Sequence, residues 1–356
     1  MVGTSDRYTP SVQDILEVKQ SLIERGALPL EIVDTIIDFA EYWIKSTTCR
    51  TRGQITVRAG GEFENMLLLR SYPLGYMPTK DNPTTLSPMT EADKYPAMPC
   101  EPWPEPGDFP NNVTQEVIDS WTRDAKPRGE FPCRKIVFTI KSHDQGWGGP
   151  RGCRGTYKGS YTWFDVGLET LSATRDNQLP LMASSGQDRG LTRRDVEEKP
   201  EGIYAHFGAT PLPYFNIPDP QSTRTKSEMI FCTTRTIKPE TYIRTVPSED
   251  PDVPPKTMLS FRHELEPGMD CLQRNRTATR DTTDHVITWS CADDIMDPDS
   301  VDAIELDKQG RGRETGNGEY VRNLKIGDVV TVWAKARFGG WANTIEEVKI
   351  DVYWVV

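Results

Sequence analysis

Residues 330–343 read V-T-V-W-A-K-A-R-F-G-G-W-A-N, and residues 136–149 read I-V-F-T-I-K-S-H-D-Q-G-W-G-G, so one arrangement occurs twice, 194 positions apart. Each copy opens on an alternating run of β-branched and aromatic residues. A lysine follows, Lys141 or Lys335, and a Gly-Trp pair closes the segment at Gly146-Trp147 or Gly340-Trp341. Each copy then leads into another strand-like run, Y-T-W-F-D-V-G-L at 161–168 or V-K-I-D-V-Y-W-V-V at 348–356. Successive side chains of a strand point to opposite faces, so parity sorts them. Ile350, Val352 and Trp354 fall on one face, with Lys349, Asp351 and Tyr353 on the other. In the strand before, Val330, Val332 and Ala334 oppose Thr331, Trp333 and Lys335. One apolar face backed by a mixed one predicts half-buried antiparallel sheet.

Working outward, further strand-like runs lie near 54–58, 65–70, 203–207, 228–235, 257–263, 285–291 and 319–323. The stretches 172–200 and 244–256 are polar and read as loops. The pattern predicts a mainly β protein, an antiparallel sandwich of jelly-roll character over 131–356, with the two matched ribbons side by side. Residues 10–45 are the only strongly helical region, split by Arg25-Gly26. Its second half, 28–43, carries Ile32, Val33, Ile36, Ile37 and Ala40 as one stripe, with Asp34, Asp38 and Glu41 opposite. Between helices and sandwich, 46–130 reads as a wrap packed on the sheets, because 12 of the 28 prolines fall within 73–132. Proline lacks the donor that a sheet interior needs. A short helix is predicted at 113–122.

Composition narrows the function. Net charge is −11 with a pI near 5.1. Affinity for duplexes rests on basic patches that release counterions, so nucleic-acid binding is not expected. No run approaches the roughly 18 apolar residues of a membrane span, and the N-terminus lacks the basic start and apolar run of a signal peptide. A cytoplasmic or nuclear location is predicted. The seven cysteines are widely spaced with no CxxC, which predicts reduced thiols without a metal site. The acidic 293–307 stretch lacks EF-hand spacing, and Asp297-Pro298 there predicts a helix start. G-R-G-R-E-T-G-N-G at 310–318 lacks the spacing and lysine of a phosphate loop and reads as a flexible turn. No cofactor motif stands out, and neither G-x-S-x-G nor H-E-x-x-H occurs.

Leu28, Pro29, Glu31, Ile32, Val33, Ile36 and Ile37 together resemble the opening of an F-box, which typically begins Leu-Pro-x-Glu-[Ile/Val/Leu]. The match ends after Ala40. The resemblance implies docking of a Skp1-like ubiquitin-ligase adaptor through Leu28, Pro29, Ile32, Val33, Ile36 and Ile37. Together with that helix, the blocks S-H-D-Q-G-W-G-G, G-S-Y-T-W-F-D-V-G, G-E-Y-V-R-N-L-K-I-G-D-V-V-T-V-W-A-K-A-R-F-G-G-W-A-N and I-D-V-Y-W resemble an uncharacterised family of fungal proteins. That resemblance implies no particular reaction.

Two candidate sites follow. If the Gly-Trp turns meet, His143, Asp144, Gln145 and Trp147 converge with Arg337, Trp341 and Asn343 at one rim of the sandwich. Indole faces beside amides and carboxylates suit a sugar. Equally, each tryptophan plugs the end of the core while glycine permits a tight turn. The second candidate is an aromatic platform of Tyr157, Tyr161, Trp163, Trp333 and Tyr353. The leading expectation is a non-enzymatic binding or adaptor protein recognising a protein or glycan. A lectin-like module and a hydrolase or transferase led by His143 and Asp144 are the alternatives.

Overall fold

The computed structural model describes residues 8–51, 53–60, 64–76, 118, 122–175, 210–211, 230–247 and 255–356. The strand predicted near 203–207, most of the helix at 113–122 and most of the proline-rich stretch lie outside the described residues.

Two helices come first, α1 (Val12–Glu24) and α2 (Leu30–Phe39). Ser11 caps α1 through a reciprocal bond with Asp14. The strands are β1 (Ile44–Arg50), β2 (Ile55–Arg58), β3 (Asn65–Arg70), β4 (Cys133–His143), β5 (Thr162–Arg175), β6 (Thr210–Pro211), β7 (Ile230–Lys238), β8 (Thr241–Val246), β9 (Lys256–Phe261), β10 (Gln273–Arg274) and β11 (Thr283–Ser290). Helix α3 (Val301–Lys308), a 3-10 turn (Arg313–Gly316) and helix α4 (Glu319–Arg322) precede β12 (Val329–Ala336) and β13 (Ala342–Trp354).

One sheet has the order β1-β13-β4-β11, with β2 also on β13, and the other has the order β3-β12-β5-β7-β6, with β10 beside the start of β5. The eight principal strands are β1, β3, β4, β5, β7, β11, β12 and β13. Numbered in chain order they pair as 1-8-3-6 and 2-7-4-5, the double Greek key of a jelly roll. The opening strands of the matched ribbons, β4 and β12, lie in different sheets and not side by side. The first puts β4 in one sheet and crosses to β5 in the other, and the second runs back from β12 to β13. Each therefore pairs with the other's second half, β4 with β13 and β12 with β5. In both copies the apolar face turns inward.

The registers align those faces. Ile350 stands opposite Phe138 and Val352 opposite Ile136. Val332 stands opposite Val166 and Ala334 opposite Phe164. All eight side chains are buried in one apolar cluster with Ile15, Val33 and Ile37 of the helices. Burial of that kind contributes roughly 1.5–3 kcal/mol per large side chain.

Several boundaries differ from expectation. The sandwich takes strands from the supposed wrap, because β1 and β3 belong to its two sheets, so a start at 131 is too late. Residues 319–322 form helix α4, not a strand. β5 extends to Arg175 and β8 to Val246, into stretches read as loops. Helix α3 begins after Ser300, whose hydroxyl accepts from the Ala303 N–H, while Asp297 binds the Asp299 N–H instead. The glycine-rich 310–318 stretch is built into the fold, with Thr315 and Gly316 buried. Among the described residues no helix is long and apolar enough to cross a membrane.

Candidate functional site

The two Gly-Trp turns do meet. A Cβ on Gly340 would stand 2.7 Å from the Trp147 indole, and one on Gly149 would stand 3.7 Å from that of Trp341. Gln145 ties the turns together, its side chain accepting from the Ala342 N–H at 3.1 Å and donating to the Trp147 carbonyl at 2.6 Å. The polar groups expected to hold a ligand are already engaged. Asp144 is fully buried and accepts from the N–H groups of Gly146, Ala278 and Thr279 at 2.8, 2.6 and 2.9 Å. Burial holds its carboxyl above the usual range, and those three donors oppose the rise. His143 places Nδ1 2.7 Å from the Asp144 carbonyl oxygen.

Asn343 is buried too, donating to the Trp163 carbonyl and accepting from Asn275, which in turn receives the Ser142 hydroxyl. Arg337 gives its N–H groups to the carbonyls of Glu64, Glu264 and Ala336 and to the Asn65 side chain, while its guanidinium lies 5.2 Å from the Trp163 ring. Trp341 is buried edge-on against Tyr161. Of this group Trp147 alone presents a largely open ring, 58% exposed. The polar groups of the rim are thus bonded within the protein.

The aromatic platform divides. Trp163 and Trp333 belong to the outward face of β5 and β12, whereas Tyr353 lies on the other sheet beneath the Lys135 ammonium. Tyr161 packs on Phe338 and Trp341, and Tyr157 lies near His285.

That outward face of β5 and β12 holds a cavity of about 430 Å³, walled by β5, β7, β12 and the 262–270 segment. Trp333 stands opposite Asp165 in register, and Lys335 stands opposite Trp163. Parity therefore delivers Trp333, Lys335 and Asp165 together to one side. Gly167 makes room, since a Cβ there would meet the Trp333 Nε1 at 2.7 Å. Lys335 lies between Asp165 at 2.5 Å and Glu264 at 2.9 Å, with its side chain only 5% exposed. Burial alone would lower the lysine, but the two carboxylates hold it above its ordinary range. Asp165 is held high by burial and by sharing one ammonium with Glu264, against the pull of Lys335. Its Oδ2 also accepts from the Trp163 Nε1 at 3.1 Å, while its buried Oδ1 has no partner. At the mouth, Asp270 pairs with Lys238. Burial would raise Asp270, yet the Lys238 bond holds it below the usual carboxylate range.

Sequence reasoning placed Lys335 and Trp333 on a common face and named Trp333 in the aromatic platform, but it did not name Lys335 as a site residue. Glu264, Asp270 and Lys238 come from distant segments that only the fold brings together. Among the described residues, no group of three or more His, Cys, Asp or Glu side chains is placed to hold a metal.

Of the helix residues expected to dock a partner, Val33 and Ile37 point into the core. Ile32 and Ile36 are exposed, joined by Leu30 and by Phe39 at 86% exposure; Leu28 is partly buried and packs against the core, and Pro29 precedes α2 as its cap residue. No protein-family model matches this chain, and no curated protein or solved structure matches it.

Proposed function

We propose that this chain is a non-enzymatic recognition protein whose β-sandwich binds a partner protein at the cavity on β5 and β12. The observation that carries the reading is the composition of the walls. Trp333 and Ile237 supply apolar surface, Asp165 and Glu264 flank one buried ammonium, and Asp270 pairs with Lys238 beside them. Such a mixture suits a side chain with an aliphatic stem and a polar head. The Gly-Trp rim favours a glycan less, because its amides and carboxylate already have partners inside the protein.

Peptide and oligosaccharide arrays probed with purified protein test this. Ile237 is exposed at the cavity wall, so Ile237→Trp should narrow the entrance without disturbing the core. Peptide spots retained by the wild type and lost by the variant are expected. Oligosaccharide spots alone, lost by the same variant, would make the protein a lectin-like module, and blank arrays would remove the reading.

A second contact surface is favoured by α2, which keeps Leu30, Ile32, Ile36 and Phe39 in solvent. Exposed apolar residues grouped on one helix mark contact surfaces in soluble proteins, and the F-box resemblance points to a Skp1-like adaptor. Only the outer half of the helix is offered, since Val33 and Ile37 serve the core. Ile36→Asp should leave the melting temperature within about 2 °C, as surface substitutions do, and abolish capture of a purified Skp1-like adaptor. Capture that survives the substitution, or none by the wild type, would assign α2 to the sandwich alone.

A further inference from the structure

Beside the first cavity lies a second of about 360 Å³, formed by the 3-10 turn and α4 against Leu168 and Trp289. The two share a wall, because Lys238 and Asp270 line both. This ion pair is half exposed on each side chain, a bridge at the surface rather than a buried partition. Trp289 is 5% exposed, held edge-on between Phe138 and Tyr320, and its Nε1 has no partner. Trp289 thus closes the inner end of this cavity from within the core.

Charge gives the direction. Carboxylates lining the two cavities are Asp165, Glu240, Glu264, Asp270, Glu314 and Glu319. Against these six stand three cations, Lys238, Arg262 and Lys335. Glu240, Glu314 and Glu319 form no ion pair among the described residues, and all three are exposed. Such a lining repels phosphates and other anions and leaves a neutral glycan with nothing to offset the surplus. Aliphatic surface from Ile237 in one cavity and from Leu168 and Leu324 in the other would carry the stems of long cationic side chains.

We propose that the two cavities are consecutive subsites for one extended peptide bearing two Lys or Arg side chains, its backbone crossing over the Lys238–Asp270 bridge. This rests on the protein-binding reading above and names the chemistry of the partner. Each basic head meets carboxylates in its own cavity, and linking two such contacts multiplies affinity.

Fluorescence anisotropy with labelled octapeptides carrying one Lys, or two Lys at varied separations, on neutral backbones tests it. Doubly basic peptides should bind about tenfold tighter than singly basic ones at one preferred separation, and weaken as salt rises. Glu319→Gln, an isosteric change at an exposed position, should collapse that ratio towards one, while Glu240→Gln should weaken the first cavity's contact. A ratio near one in the wild type, with peptides still bound, overturns the two-subsite arrangement and leaves the protein-binding reading intact. Binding of neutral chito- or cello-oligosaccharides but of no basic peptide overturns both the ligand class and that reading. Binding of neither overturns both as well.

Discussion

His285 lies on β11 with its ring buried near Tyr157, and its Nε2 has no partner. Burial first, and then the nearby Arg276, push its pKa from 6.5 down to about 4, with Asp284 opposing. The unfolded chain therefore takes up a proton between about 6.5 and 4 that the folded chain refuses. Stability attached to this group is present above the unfolded value and is lost as pH falls through that window. The full shift corresponds to about 3 kcal/mol. Urea unfolding at pH 7 and pH 4.5 should show a stability loss that His285→Leu reduces; an equal loss in both proteins would place the acid sensitivity elsewhere. Arg337 illustrates the opposite case at the same scale. Its side chain looked like ligand-binding chemistry in the sequence, yet it is spent on backbone carbonyls. A guanidinium offers five donors, and nothing in a linear pattern reveals where they go.

The Gly-Trp turns are where element geometry decides stability. Gly340 has φ +95° and the Trp147 ring where a Cβ would stand, whereas nothing lies within 4 Å of a Cβ on Gly339. Gly340→Ala should cost about 1–3 kcal/mol from backbone strain alone, read as a lower urea midpoint with an unchanged slope. Gly339→Ala should change little, and equal effects at the two positions would mean that the turn tolerates side chains generally. Element recognition from sequence succeeded where alternation was strong, as in β4, β12 and β13. It failed at β1, whose inward positions after Ile44 are Ser46 and Thr48, so no apolar alternation marks it. It failed again at α4, because Glu319–Arg322 is one turn long and four residues cannot separate a period of 2 from one of 3.6.

At the level of the molecule, the doubled segment carried the architecture. A unit that must bury one face and change sheets at a glycine-bearing turn fits a sandwich, and two such units interlock as a jelly roll. The site was half legible. Parity put Trp333 and Lys335 on the outward face, but which carboxylates meet them depends on how the 262–270 segment crosses the sheet. The two Gly-Trp turns meet, and their polar groups bond within the protein, because convergence of polar groups serves end-sealing as readily as recognition.

The interlock has a temporal side. β13 is the central strand of its sheet, flanked by β1, β2 and β4, and it is the last strand of the fold. A ribosome releases those neighbours long before it delivers the strand that joins them. Partners so remote along the chain close slowly, and until β13 arrives β1, β2 and β4 keep bare edges of the kind that invite aggregation. Joining β1, β2 and β4 into one sheet therefore waits on a strand nearly 200 residues further along the chain than the end of β4.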